Sequence, residues 1–173
     1  MEIVQLQVGD ESRLRTIRLQ ALSDAPDAFL TTLEEASQWT HSAWTSQLQG
    51  LHTLVVVQDG LDVGMVRGYV DWKTNPLAAW VISMWVAPHA RRQGVGVLLI
   101  SSLVEWARQE SVAQLHLEVG VHNTAAQALY KRLGFVDTGR SRGQLQPREN
   151  IEELELVLSI SREKPSAVEG LSS

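Results

Sequence analysis

Apolar and polar positions alternate over residues 2–8, where Ile3, Val4, Leu6 and Val8 stand among polar partners and Gly9-Asp10 ends the run, so a first strand is predicted. Asp10 is placed to cap a helix in which Leu14, Ile17, Leu19 and Leu22 recur near helical spacing, and Ser23-Asp24-Ala25-Pro26 stops it. A second helix is expected over about 33–48, with Thr31 or Thr32 as cap and Glu34 and Glu35 in the first turn, where the helix dipole favours anions. Three strands follow at 53–58, 62–72 and 79–86, the first two joined by Asp59-Gly60, a hairpin signal.

Helical spacing returns at 91–109, with Val95, Leu99, Leu103 and Trp106 on one face. A short strand at 115–119 and a short helix at 123–133 come next, Gly134-Phe135-Val136 begins another strand, and 151–158 is the last. The order βααβββαβαββ predicts an α+β fold with a central, mixed but mostly antiparallel sheet of six to seven strands and four helices. Residues 159–173 include Pro165, Gly170 and several serines without periodicity, so they read as a frayed tail behind a single domain at 1–158.

The chain has 173 residues, 44% of them hydrophobic, enough for one core. Its net charge of -5 argues against nucleic acid, whose phosphates need a surplus of Lys and Arg, and better suits a cationic, amine-bearing partner. No cysteine is present, which excludes disulfides, thiolate metal sites and a cysteine nucleophile, and no metal ligand pattern stands out. The N-terminus has no basic stretch followed by an apolar one, and the longest charge-free run, 74–90, is too short and mixed for a membrane span. A cytoplasmic protein is expected.

Chemistry concentrates where a strand meets a helix, at Val86-Ala87-Pro88-His89-Ala90-Arg91-Arg92-Gln93-Gly94-Val95-Gly96. The amides that open a helix lack intrahelical acceptors and carry partial positive charge, and glycines let a diphosphate approach them closely. A P-loop would need Gly-Lys-Ser/Thr, whereas Gly96 precedes Val97 and Leu98; a dinucleotide fingerprint would need a small residue where Leu99 stands.

Arg91-x-x-Gly94-x-Gly96, preceded by Val86-x-Pro88, resembles the Q/R-x-x-G-x-G/A signature of the GNAT superfamily of N-acetyltransferases. The segment Asn123-x-x-Ala126-x-x-Leu129-Tyr130-x-x-x-Gly134-Phe135 is similar to that family's second hallmark, so the resemblance spans roughly 86–135. It implies acetyl-coenzyme A as co-substrate, with the amides of Arg91, Arg92, Gln93, Gly94, Val95 and Gly96 around its pyrophosphate. It further implies that main-chain groups of Met84, Trp85 and Val86 pair with the pantetheine arm, and that Asn123, Ala126 and Tyr130 line the same cleft. A homodimer is a separate expectation.

Direct transfer to an amine needs an acid for the departing thiolate and a base for the amine. Tyr130 is the candidate acid, since a phenol titrating near 10 stays protonated above a thiol near 8.5. Glu118, twelve residues earlier, has the spacing seen in ribosomal-protein alanine N-acetyltransferases and is one candidate base; His122 and ordered water are the others. For the acceptor, Arg18-x-x-Ala21-Leu22-x-x-x-Pro26-x-Ala28-Phe29 with Glu34-Glu35 and Trp44 is similar to a bacterial subgroup without a single defined substrate. Phe29, Glu34, Trp72 and Glu118 are its candidate substrate contacts, and Asp71, Glu35, Trp39 and Trp85 could also hold or stack on an ammonium, although glutamates at a helix start and tryptophans are commonly structural. The strand at 79–86 holds no Asp or Glu, where many relatives place a base. Residues 140–150, with Arg140, Arg142 and Arg148, read as a solvated hairpin loop. A longer acyl donor, a hydroxyl acceptor and a non-catalytic coenzyme A-binding module are the rival readings.

Overall fold

A computed structural model describes residues 1–70, 72–143 and 152–160, without the side chains of 142 and 143. Asp71, Arg142, Arg148 and the tail from 161 onward, all discussed above, therefore lie outside the described residues or side chains. The strands are β1 (Glu2–Leu6), β2 (His52–Gln58), β3 (Leu61–Val70), β4 (Ala78–Val86), β5 (Gln114–Gly120), β6 (Val136–Gly143) and β7 (Glu152–Ser159). The helices are α1 (Glu11–Asp24), α2 (Leu33–Ser37), α3 (His41–Gly50), α4 (Val95–Gln109) and α5 (Thr124–Arg132), with single 3-10 turns at Pro26–Ala28 and Pro88–Ala90.

All seven strands form one sheet in the order β1-β2-β3-β4-β5-β7-β6. Among the described residues its only parallel neighbours are β4 and β5. The α+β expectation and the mostly antiparallel sheet hold. Three boundaries differ from the sequence reading. The single helix expected over 33–48 is two helices, because Thr40 adopts extended backbone and its hydroxyl accepts from the amide of Ala43, starting a new helix. Asp10 does not cap α1; its carboxylate accepts from Gln7 N at 2.9 Å, and Glu11 reaches back to the amide of Gly9 instead. The helix expected from Arg91 begins only at Val95, since Arg92 (φ 60°) and Gly94 (φ 90°) are left-handed and interrupt it.

The helices cover both faces of the sheet. On β3, a Cβ built at Gly68 would meet Trp106 and Leu103 of α4, so that residue faces α4. Its neighbour Arg67 points to the opposite face by the pleat, where Gln47 of α3 contacts it. Leu99, Ile100 and Leu103 of α4 are at most 1% exposed and seal the first face, whereas Leu14, Ile17 and Leu22 of α1, equally buried, seal the second. Each such side chain contributes roughly 1.5–3 kcal/mol by leaving water.

Candidate active site

The site lies where the sheet comes apart. β4 pairs with β3 as far as Val86, and β5 pairs with β7 as far as Gly120, yet β4 and β5 pair with each other only from Ala78–Gln114 to Val81–Leu117. Beyond that point, residues 82–86 and 118–120 face each other across a notch with no β4–β5 ladder pair between them. A bulge on β4 helps open it: between the pairs Arg67–Ile82 and Met65–Trp85 this strand carries an extra residue, and Ser83 there has φ 56°. Met84, Trp85 and Val86 are on the β4 side of the notch.

Directly beyond the notch, β4 runs into a nest of amides. The first amide with a helical acceptor in α4 is that of Leu98, which donates to Gly94 O at 3.0 Å. The amides of residues 92–97 donate to no acceptor among the described residues. They open a fifteen-residue helix, whose dipole adds positive potential at the same end. Gly94 provides the left-handed turn, and no heavy atom lies within 4 Å of a Cβ built on it, so the approach to the amides is open. Gly96 has another role, because a Cβ there would stand 2.9 Å from Leu129 of α5 and 3.3 Å from Met84 of β4. Its lack of a side chain brings α4, α5 and the edge of β4 together.

Arg91 is occupied structurally. Its guanidinium binds the Asp24 carboxylate and donates through Nε to Val86 O at 3.0 Å, while Trp85 Nε1 donates to the same carboxylate at 2.9 Å. Gln93 Nε2 donates to His89 O at 2.8 Å, which braces the loop from within.

The second motif forms α5. Asn123 Oδ1 accepts from Ala126 N at 3.1 Å, and Gly134, at φ 93°, carries the chain out of the helix. Gln127 Nε2 donates to Gly120 O and Val121 O, tying the helix to the end of β5. Tyr130 is buried, its ring 5.6 Å from that of Phe135, and no described group hydrogen-bonds its hydroxyl. Burial raises its pKa above the ordinary phenol value, because the anion would lose hydration.

Glu118 is half-buried on the opposite lip of the notch, and the pleat puts it on the β5 face of His116 while Leu117 and Val119 are buried on the other. His122 is exposed in the turn before α5. Phe29 is buried, with the Arg18 guanidinium 4.4 Å from its ring centroid. Trp85 stands at the notch, whereas two other acceptor candidates lie elsewhere. Glu34 is exposed in α2, and Trp72, 60% exposed, lines a separate 450 Å³ groove with His52, Gly68 and Trp106 at the far end of β3. Asp24, Ser83, Arg67 and Gln127 went unassigned in the sequence; a lone arginine between Val66 and Gly68 in an otherwise apolar strand was the available signal for one of them.

The model of the acetyltransferase (GNAT) family matches residues 18–135. The chain belongs to the GNAT family. Among curated relatives of this GNAT chain, aminoglycoside N(6')-acetyltransferase type 1 of Serratia marcescens is 32% identical over 79 residues, 46% of the chain and 54% of that protein. The match thus spans about half the length of that relative. The crystal structure of an acetyltransferase of GNAT family from Streptococcus pneumoniae superposes with a TM-score of 0.78 at 22% identity, over 92% of this chain and 99% of that one. The structure of yncA from Salmonella typhimurium, solved with its cofactor acetyl-CoA, gives 0.72 at 19% identity over 96% and 98%. At these identities the two structures speak for the GNAT fold alone. Among the described residues no helix is long and apolar enough to cross a membrane.

Proposed function

We propose that this chain is an acetyl-CoA-dependent N-acetyltransferase that moves the acetyl group directly to a primary amine of a small molecule or a peptide N-terminus. The notch carries the reading. Strands in a sheet stand about 4.8 Å apart, so two strands that stop pairing with each other and diverge leave room for an extended, amide-bearing arm between them. Coenzyme A has such an arm, and the diphosphate at its far end fits the free amides of residues 92–97.

A thioester held in the notch would lie between the α5 side, with Tyr130, and the lip with Glu118. The amine nitrogen attacks the thioester carbon, the carbon–sulfur bond breaks, the thiolate takes the Tyr130 proton and the ammonium proton of the adduct passes to Glu118 or through water. Burial supports Tyr130 as the acid, since it keeps the phenol protonated throughout the neutral range. His122 is the weaker candidate base because it is exposed in the turn.

Binding is tested by thermal shift with acetyl-CoA, where a ligand at about 100 times its Kd adds about 2.7 kcal/mol of stability. An unmoved melting curve at saturating acetyl-CoA would refute the proposal. Thiol release with a panel of amines then separates an enzyme from a binding module, and an unchanged pH profile in Glu118→Gln would remove Glu118 as base.

A further inference from the structure

Beside the notch, on the face covered by α1 and α3, two arginines are buried without a counter-ion among the described residues. Arg18 is 3% exposed and Arg67 4%. Neither meets a carboxylate among the described residues: Arg67 donates through Nη1 to Gln47 Oε1 at 2.7 Å and through Nη2 to Ser83 Oγ at 2.6 Å, and Arg18 rests on the Phe29 ring. Arg67 Nε and Arg18 Nε and Nη1 are sealed from solvent without a hydrogen-bond partner among the described residues. Burying one unpaired guanidinium costs several kcal/mol, and two neighbours of the same sign cost more. Among the described residues, one cation–π contact and two neutral hydrogen bonds offset part of this.

The position of the pair gives it meaning. Arg67 is opposite Ile82, the first β4 residue beyond the last β4–β5 pair, and it holds Ser83 at the bulge that opens the notch. Following the register across the sheet, Tyr69, Trp80 and His116 share its face, Trp80 and His116 in ring contact at 5.2 Å, and Glu118 continues that row on β5. The arginines and Glu118 thus flank the notch on one face, away from the amide nest.

We infer that Arg18 and Arg67 form the anchor for an oxyanion carried by the acceptor, so that the amine substrate bears a carboxylate or a phosphate as well. This inference rests on the acetyltransferase reading and narrows its acceptor class. It narrows the cationic, amine-bearing partner expected from the overall charge of -5, since two buried guanidiniums stand on this face of the notch. Arg18 Nε and Nη1 and Arg67 Nε are donors without an acceptor among the described residues, and an oxyanion accepts such charge-assisted hydrogen bonds.

Two measurements test it. In the first, thiol release is compared for each amino acid against its carboxamide and for phosphoethanolamine against ethanolamine; the first comparison reads a carboxylate, the second a phosphate. The oxyanion-bearing member of one pair should be preferred, and Arg67→Met should lower that preference, read as the ratio of kcat/KM within the pair, on the order of a hundredfold. Equal turnover within both comparisons, or a preference untouched in Arg67→Met, overturns the anchor. The second needs no turnover: the Nε–H resonances of Arg18 and Arg67 are followed in 15N-arginine-labelled protein titrated with sodium malonate and with inorganic phosphate. Shifts beyond those of sodium chloride at equal ionic strength, absent in Arg67→Met, support the anchor, and their absence in wild type overturns it. Loss of acetyl-CoA binding with the anion response intact would sink the acetyltransferase reading and spare the anion site; the opposite pattern would sink the anchor alone.

Discussion

The Asp24 carboxylate, at the last residue of the first helix, binds the guanidinium of Arg91 sixty-seven residues later, in the loop that opens α4. With Trp85 Nε1 on the same carboxylate, one acidic group fixes both the edge of β4 and the loop carrying the free amides. The Arg91 side chain is half exposed, so the ion pair itself contributes little, roughly 0–1 kcal/mol. Its effect should fall on ligand geometry. Asp24→Asn is expected to weaken acetyl-CoA binding several-fold by calorimetry while shifting Tm little, and unchanged affinity would show that the loop holds its shape without this contact.

Gly94 and Gly96 should fail in different ways. Gly94→Ala puts a side chain on left-handed backbone with open space around it, so about 1 kcal/mol of stability should be lost without a packing defect. Gly96→Val instead drives against Leu129 and Met84, and is expected to separate α4 from α5 and lower acetyl-CoA affinity as well as Tm. Denaturant titrations with and without acetyl-CoA distinguish the two.

Replacing Tyr130 by Phe should lower kcat by roughly 10²–10⁴-fold with acetyl-CoA binding retained. The stability effect has a definite sign. A phenol whose pKa is higher in the folded chain binds its proton more tightly there, so its contribution is complete below the ordinary value of 10.0 and is lost as pH rises above it. Wild type should therefore lose stability more steeply than Tyr130→Phe in the alkaline range beyond about pH 10. Parallel stability curves there would contradict the buried phenol.

Arg67 should be a burden to the free protein. Desolvation, with Arg18 nearby, lowers its pKa to about 9, so the folded state carries a penalty at neutral pH that is relieved only as pH rises past that value. Arg67→Met is expected to stabilise the ligand-free chain by about 1–4 kcal/mol in urea unfolding at neutral pH. A comparable loss of stability would mean that the guanidinium's bonds to Gln47 and Ser83 outweigh its burial.

What the sequence discloses follows from how local each signal is. The β4–α4 loop and α5 are written in caps and glycines whose effects reach only a few residues, so Gly94, Asn123 and Gly134 could be read in place. The break between α2 and α3 was missed although Thr40 marks it, because apolar spacing continues across it through Trp39 and Trp44, whose rings pack 4.8 Å apart. Asp24 looked like part of a helix stop, and its partners Trp85 and Arg91 are far along the chain. The arginine pair was hidden for the same reason: Arg18 and Arg67 become neighbours only when α1 folds over β3, and an absent counter-ion leaves no mark in a sequence.

Only four residue pairs, Ala78–Gln114 through Val81–Leu117, stitch the half of the sheet that ends in β4 to the half that begins with β5. A molecule that slots in as the missing rung would act as mortar as well as cargo. Amide exchange along both lips of the gap would slow together upon loading, and the two halves, made as separate polypeptides, would find each other more readily in its presence.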